Sequence, residues 1–252
     1  MRSIWCVAML LTAAACGAGD DSWVVRPPGG GGGGVGGRVD AAPPDADRGD
    51  AGAGLTGQVC VVSEFRTPDA CPDVAAARGV TVRRLGDATG AISDGAGGFT
   101  LDLTDAVVVL EVGAGAPTLI PALVPVRNDG TRVAAPVATE AAWLELVAAT
   151  GTVHASGTGA VVVYIDDADG TRAEAAELDP PAAAATGAFY DRASGAWVPA
   201  GGTGPAGVAV LVELPPGSYT LTGRDVTDRP FTLAGVPVAA DAITFTRVRL
   251  AP

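Results

Sequence analysis

The chain has 252 residues, of which 48% are hydrophobic and 17% are charged. Acidic residues outnumber basic ones 28 to 16, which gives a formal net charge of −12, and every basic residue is an arginine. This balance argues against nucleic acid as a partner, because no basic patch is present to neutralise phosphates. An acidic surface is also repelled by anionic membranes, so attachment to a bilayer would need a lipid.

The N-terminus has the pattern of an export signal. Arg2 supplies a basic start, residues 4–11 form an apolar run too short to span a membrane, and small residues lead directly to Cys16. Small residues before a cysteine resemble the lipobox of bacterial lipoproteins, which implies cleavage before Cys16 and a lipid on its thiol. Gly17, where an aspartate would imply inner-membrane retention, resembles outer-membrane sorting. We therefore expect a signal peptide over residues 1–15 and a lipid-anchored protein of the cell envelope, at the outer membrane.

Residues 16–54 are predicted to form a disordered tether. The glycine run 29–34 and the Ala-, Pro- and Asp-rich segment 40–50 contain too few apolar residues to build a core. A phosphate-binding glycine loop would need a preceding strand, a following helix and a Lys-Ser/Thr pair, which are missing. No later apolar stretch reaches about 18 residues without a proline or charge, so no transmembrane helix is expected.

Two cysteines remain after the leader and Cys16 are set aside. An exported protein folds where disulfides persist, so we predict a Cys60–Cys71 bond. Closing a loop of this size would stabilise the fold by roughly 2–3 kcal/mol. A zinc site is disfavoured, because two thiolates would need further Cys or His ligands nearby.

From residue 55 onward the pattern is that of β-strands. Alternating apolar and polar residues predict half-buried strands over 80–85 and 99–103, and the apolar run 107–112 predicts a strand buried on both faces. Turn signals containing Gly or Pro separate the strands. The pattern predicts an all-β protein built as an antiparallel β-sandwich. Further strands are predicted over 160–165, 208–214, 219–221, 231–233 and 243–250.

One helix interrupts the strands. Thr139 is placed to cap it, Glu140 lies in its first turn, apolar residues follow from Trp143, and Gly151 is placed to end it. We expect this helix to lie between two small sandwiches.

An internal repeat supports that division. The sequence TGQV at 56–59 recurs as TGTV at 150–153. We therefore predict a first sandwich over residues 55–138 and a second, with the leading helix, over 139–252.

The sequence LPPGSYTL at 214–221, together with the strand around Val162, resembles the carboxypeptidase regulatory-like family. The resemblance covers residues 140–252 and, more loosely, 55–135. It implies a transthyretin-like or prealbumin-like β-sandwich in the cell envelope with an accessory, adhesive or spacer-like role. Related pilus-type modules lock themselves with a Lys–Asn isopeptide bond, which a chain without lysine cannot form. The zinc site of the associated peptidase needs two histidines, and this chain has one.

His154 is that single histidine, and any Ser-His-Asp arrangement would have to use it. No nucleophile-elbow pattern accompanies it. We therefore predict a non-enzymatic module that binds or spaces partners, with an envelope protein or a glycan as the expected partner class. A calcium- or carbohydrate-binding surface domain is one alternative, and an envelope hydrolase with an unrecognised site is the other.

Two further features suggest a ligand site. Asp166, Asp167 and Asp169 resemble part of a calcium loop, but an EF-hand frame puts Ile165 at a ligand position. An acidic turn is the favoured interpretation, a looser calcium site is the alternative, and no other cofactor is expected.

Trp197 is the second feature. It either stacks on a sugar or a peptide, or forms a strand pair with residues 189–190 across a turn at 194–195.

Overall fold

The computed structural model describes residues 54–68, 71 and 76–251. The predicted signal peptide, the lipid site at Cys16 and nearly all of the predicted tether lie outside the described residues. The prediction of an all-β protein with one helix is confirmed for the described part. No helix of that part is long and apolar enough to cross a membrane.

The strands and the helix follow one another along the chain, with α1 (Glu140–Thr150) between β8 and β9. The strands are β1 (Leu55–Val62), β2 (Thr81–Arg84), β3 (Ala91–Ile92), β4 (Gly98–Leu101), β5 (Val107–Val112), β6 (Leu119–Ile120), β7 (Ala122–Arg127), β8 (Val133–Thr139), β9 (Gly159–Asp166), β10 (Glu177–Asp179), β11 (Ala188–Asp191), β12 (Trp197–Val198), β13 (Val208–Leu214), β14 (Gly217–Arg224), β15 (Pro230–Val238) and β16 (Ile243–Arg249).

The strands form three stacked sheets. The central sheet has nine strands in the order β12-β11-β13-β9-β16-β7-β5-β2-β3. A four-stranded sheet (β4-β1-β8-β6) covers one of its faces together with α1, and a three-stranded sheet (β10-β14-β15) covers part of the other. Two hydrophobic cores result, one on each side of the central sheet.

Strand β9 shows how the sequence builds this arrangement. All eight of its residues are buried, with Val162 and Tyr164 in the core beneath the four-stranded sheet and Val161 and Val163 in the core beneath the three-stranded sheet. A continuous apolar run rich in valine suits a strand covered on both faces.

The prediction that residues 107–112 form a strand buried on both faces was wrong, because burial alternates along β5. Val107 is 66% exposed, and Glu111 reaches outward to pair with Arg83 at 2.7 Å. The three-stranded sheet does not extend over this part of the central sheet, so β5 buries one face only.

The expectation of an antiparallel sandwich in two modules needs two corrections. β1 pairs with β8 in parallel, and β16 pairs in parallel with both β9 and β7. Because β9 and β7 come from opposite sides of the expected boundary between 138 and 139, that boundary does not separate two sheets. Residues of both halves also share the larger core.

The internal repeat is likewise not repeated in structure. Residues 56–59 belong to strand β1, whereas the matching residues 150–153 form the end of α1 and the loop after it.

Strands β7 and β8 were not predicted, and each contains a proline that argues against an interior strand. Pro125 lies in β7 beyond the two residues that pair with β16, so the missing N–H breaks no ladder on that side. Pro136 in β8 similarly lies outside the short pairing with β6, which involves only Ala138 and Thr139.

The predicted helix is confirmed with its caps. The Thr139 hydroxyl accepts the Ala142 N–H at 3.1 Å, and Gly151 ends the helix in a left-handed conformation with φ of 69°. Its buried face consists of Ala142, Trp143, Leu146 and Val147, while Leu144 is 55% exposed.

Candidate functional site

A small cleft lies where the loop after β1, the helix α1 and the β11–β12 hairpin meet. Its volume is about 70 Å³. We call it the Arg66 cleft, and the side chains that define it are Glu64, Arg66, Glu145, Leu146 and Trp197, with Gly195 at the hairpin turn.

The loop that carries Arg66 is held to the body at both ends. The predicted Cys60–Cys71 disulfide is confirmed, with a Cα–Cα distance of 4.4 Å. Phe65 stacks on Phe245 with ring centroids 6.0 Å apart, and its carbonyl accepts the buried Tyr164 hydroxyl at 3.0 Å. These contacts fix the backbone from which Arg66 extends.

Arg66 joins the loop to the hairpin. One guanidinium nitrogen donates to Glu64 Oε1 at 2.8 Å, another donates to the Gly195 carbonyl, and the guanidinium carbon lies 4.8 Å from the centre of the Trp197 ring. Cation–π contact and hydrogen bonding therefore hold this side chain in one place. Its Nε–H is buried and has no hydrogen-bond partner among the described residues.

Trp197 lies in the β11–β12 hairpin, which corresponds to the strand-pair interpretation of its sequence. Tyr190 pairs with Val198 and Asp191 with Trp197, and the Trp197 residue is 8% exposed. Because Arg66 covers its ring, the indole is a wall of the cleft and not an open stacking platform. Sequence reasoning missed Arg66, Glu64 and Glu145, since three distant segments bring them together and no local motif marks them.

The three acidic residues at the end of β9 and in the turn after it have different roles. Asp166 is 2% exposed, and its carboxylate pairs with Arg172 at 2.8 Å and with Arg247 at 3.5 Å. Asp169 lies in an exposed turn, where its carboxylate accepts the Thr171 hydroxyl at 2.7 Å and the Thr171 N–H at 2.9 Å. These bonds, led by the hydroxyl, lower the pKa of Asp169.

Asp167 takes part in the same turn through its backbone, which is bonded to Thr171 and Gly170. The acidic-turn interpretation fits this geometry. Within residues 54–68, 71 and 76–251, no three His, Cys, Asp or Glu side chains form a group that could hold a metal ion. Calcium binding here stays a prediction, and calcium would have to displace two arginines from Asp166.

The Asp-x-Thr turn recurs in the chain. Asp129 with Thr131 and Asp225 with Thr227 make the same pair of hydrogen bonds as Asp169 with Thr171. A side chain that bonds the backbone two residues ahead stabilises a tight turn. The Asp-x-Thr motif is visible in the sequence, and it gives these three aspartates a role in stabilising turns.

His154 lies in the loop after α1. Its Nε2 is 3.5 Å from Asp241 Oδ1, and its ring packs edge-to-face on Trp143 with centroids 5.5 Å apart. It joins the helix end to the β15–β16 turn.

Comparison with known proteins found no matching family model and no matching curated protein. Two solved structures show distant similarity. The Bacillus anthracis TIE protein is 13% identical over 78% of this chain and 34% of its own, with a TM-score of 0.22. A streptococcal ancillary pilin is 12% identical over 78% of this chain and 68% of its own, also with a TM-score of 0.22. The chain spans about a third of the TIE protein, and at these scores neither similarity carries a functional argument.

Proposed function

We propose that this protein is a non-catalytic β-sandwich module, held at the outer membrane of the cell envelope by a lipid on Cys16, that binds or spaces partners there. The structural observation that supports export is the Cys60–Cys71 disulfide. Disulfides persist in oxidising compartments and are rare in the cytosol. This agrees with the leader pattern that ends at Cys16.

In this proposal each part of the chain has one task. The acyl chains of a lipoprotein cysteine anchor the N-terminus, since stable membrane attachment needs more than one chain. A glycine-rich sequence of the length found between Cys16 and β1 spans on the order of 30 Å, which lifts the body clear of lipid headgroups. The three-layered body then presents the Arg66 cleft to a partner.

The contacts of Asp191, Asp166 and the half-buried His154 support a non-catalytic role, because these side chains hold loops in place. The Asp191 carboxylate accepts the N–H groups of Gly204, Ala206 and Val208 at 2.9–3.0 Å. Asp166 is paired with two arginines, and His154 contacts Asp241 and Trp143.

The anchoring proposal is tested by intact-mass measurement and detergent phase partitioning of the full chain expressed in a bacterium that processes lipoproteins. We expect a mass that starts at Cys16 and carries diacylglycerol, and partitioning into the detergent phase. Cys16→Ser should abolish both. Cys6→Ser, which changes a leader cysteine, is the matched control and should change neither.

A processed protein that lacks lipid and is released into the medium would overturn the anchoring proposal. The non-catalytic part is tested with panels of ester, peptide and glycoside substrates. Turnover that is lost in His154→Ala, while the thermal unfolding of that variant stays close to wild type, would establish the hydrolase alternative.

A further inference from the structure

We infer that residues 20–26 of this chain dock on the face of the central sheet that the three-stranded sheet leaves uncovered over β2, β3, β5 and β7. We call this surface the bare face. Its apolar side chains are those of Leu85, Ile92, Val107, Val109 and Pro125. The bare face is separate from the Arg66 cleft, and this docking goes beyond the proposed function.

The bare face carries half of the large apolar side chains that are exposed. Six such side chains are exposed among the described residues, and Leu85, Ile92 and Val107 are three of them. Alternation along the strands puts these three on the side of the sheet opposite Val108 and Leu110, which line the larger core. On soluble proteins a contiguous exposed apolar patch commonly marks an interaction site.

The apolar residues of the bare face lie next to one another across three strands. The Leu85 N–H donates to the Val109 carbonyl at 2.8 Å, and Val109 lies opposite Pro125 in the β5–β7 pair. Residues directly opposite each other in antiparallel strands project from the same face and are in contact distance. Leu85, Val109 and Pro125 therefore form a continuous apolar row, and Val107 lies beside it on β5.

The third layer of the body ends where the bare face begins. β15 is an edge strand of the three-stranded sheet, and it contacts β7 as well as β9 and β16. A further extended segment on the side of β7 and β5 would continue this layer and cover the apolar row. One short segment is therefore enough to fill the place that the three strands leave open.

Residues 20–26, with the sequence DDSWVVR, have the matching character. They lie outside the residues that the structure describes. Between Cys16 and β1 the sequence contains one run of three large apolar residues, Trp23-Val24-Val25, within a stretch that is mostly Gly, Pro, Ala and Asp. Tryptophan and valine favour an extended, half-buried backbone, and a spacer that only sets distance needs neither.

The connecting chain is long enough for the contact. β1 begins at Leu55, so the residues 27–54 separate the segment from the body. A glycine-rich chain of this length spans about 30 Å root-mean-square, and a domain of about 200 residues has a radius of gyration of about 16 Å. Such a connection gives an effective concentration on the order of millimolar, so even a weak apolar contact is populated.

Charge favours this segment over a second copy of the chain. The net charge of −12 makes two copies repel each other. On the bare-face side of the four strands the charged residues are Arg83, Arg127 and Glu111, which gives a local excess of one positive charge. The segment has two aspartates and one arginine, and therefore the opposite sign.

The test labels the indoles of the full chain with 5-fluorotryptophan and records fluorine NMR spectra with a soluble gadolinium chelate. The Trp23 signal is the one that is missing in Trp23→Phe. We expect its paramagnetic relaxation enhancement to be at least threefold smaller than that of Trp23 in a synthetic peptide of residues 19–28, because the docked indole is shielded from the chelate.

Variants of the bare face assign the contact. Leu85→Asp and Val107→Asp change exposed side chains, so the body should remain folded by circular dichroism. Each should raise the Trp23 enhancement to the peptide value. Leu144→Asp is the matched control, because Leu144 is an exposed leucine of α1, on the other side of the central sheet. It should leave Trp23 shielded.

Three results would overturn the inference. The first is a Trp23 indole as accessible in the chain as in the peptide, and the second is shielding that both bare-face variants leave unchanged. The third is a dimer in sedimentation velocity, across a thirtyfold concentration range, that Leu85→Asp abolishes, since a second copy would then cover the face. We expect a monomer throughout this range.

One consequence rests on the proposed lipid at Cys16. With the segment docked, the residues 17–22 alone separate the lipid from the body, and they reach at most about 20 Å. Docking would therefore hold the body closer to the membrane than the whole tether does. The shielding of Trp23 is measured whether or not Cys16 is lipidated, so failure of the docking and failure of the anchor are separate outcomes.

Discussion

Ile243 of β16 lies opposite Ala122 of β7 in a parallel pair, although the two residues come from opposite halves of the chain. On its other side Ile243 pairs with Ala160 of β9. All three residues are at most 1% exposed. Strand β16 therefore joins the N-terminal and C-terminal parts into one sheet over a shared core.

This pairing predicts that the two halves do not fold separately. A fragment of residues 139–252 would expose the edge of β16 that β7 covers and the apolar face that β1 and β8 cover, and a fragment of 55–138 would lose the other side of the same core. We expect both fragments to lack dispersed amide NMR signals, and the whole chain to unfold in one calorimetric transition. Two folded fragments, or two separate transitions in the whole chain, would contradict this.

Loss of the disulfide is expected to destabilise the fold. The bond links residues separated by 11 positions, and closing a loop of this length contributes about 2–3 kcal/mol to the free energy of unfolding. The double variant Cys60→Ala, Cys71→Ala should therefore have a Tm roughly 5–10 °C below wild type. Wild-type protein treated with dithiothreitol should fall by the same amount. An unchanged Tm in both samples would show that the bond does not stabilise the body.

The Tyr164 hydroxyl should stabilise the loop that bears Arg66. It donates to the Phe65 carbonyl in the buried core, so Tyr164→Phe leaves a buried carbonyl without this donor and costs about 1–2 kcal/mol by urea unfolding. Amide hydrogen exchange over residues 63–66 should accelerate. The matched control is Tyr219→Phe, because the Tyr219 hydroxyl donates to the exposed Pro215 carbonyl. That change should stay within about 0.5 kcal/mol.

Acid should weaken the turn between β14 and β15. The Thr227 hydroxyl, followed by the N–H groups of Arg229 and Thr227, lowers the pKa of Asp225 well below the usual aspartate value of about 3.9. A depressed folded-state pKa stabilises the protein above the unfolded value, and that contribution is lost as the pH falls below about 4.

Asp225→Asn should therefore be less stable than wild type at pH 7, and its free energy of unfolding should fall less steeply between pH 5 and pH 2. Urea unfolding across this range measures both. Asp228→Asn, an exposed change in the same turn, is the control and should follow the wild-type curve. A wild-type slope in Asp225→Asn would contradict the assignment.

The accuracy of the sequence predictions followed the range of the interactions involved. The α1 helix was predicted to within a residue because its caps, Thr139 and Gly151, act through hydrogen bonds inside three or four positions. The β9 strand was predicted from its own apolar run. β7 and β8 were missed, because whether Pro125 and Pro136 break a ladder depends on which strand lies beside them.

The candidate site shows the same difference between local patterns, which were predicted, and long-range contacts, which were not. Asp166, Asp167 and Asp169 were recognised as a cluster from neighbouring positions, but the pairing of Asp166 with Arg172 and Arg247 was not predicted. Trp197 was singled out because aromatic residues make up only 5% of the sequence. Its covering by Arg66 follows from a contact across more than 100 positions, which no local pattern encodes.

The sequence by itself determined the all-β class, the helix with its two caps and the cysteine pair, since these depend on periodicity, on hydrogen bonds over a few positions and on the chemistry of export. Only the tertiary structure decided that the halves share one central sheet and that Arg66, Glu145 and Trp197 meet in a cleft. The physical reason is that strand pairing and side-chain burial depend on which distant segments pack against each other. The residues next to each segment in the sequence do not identify its partner.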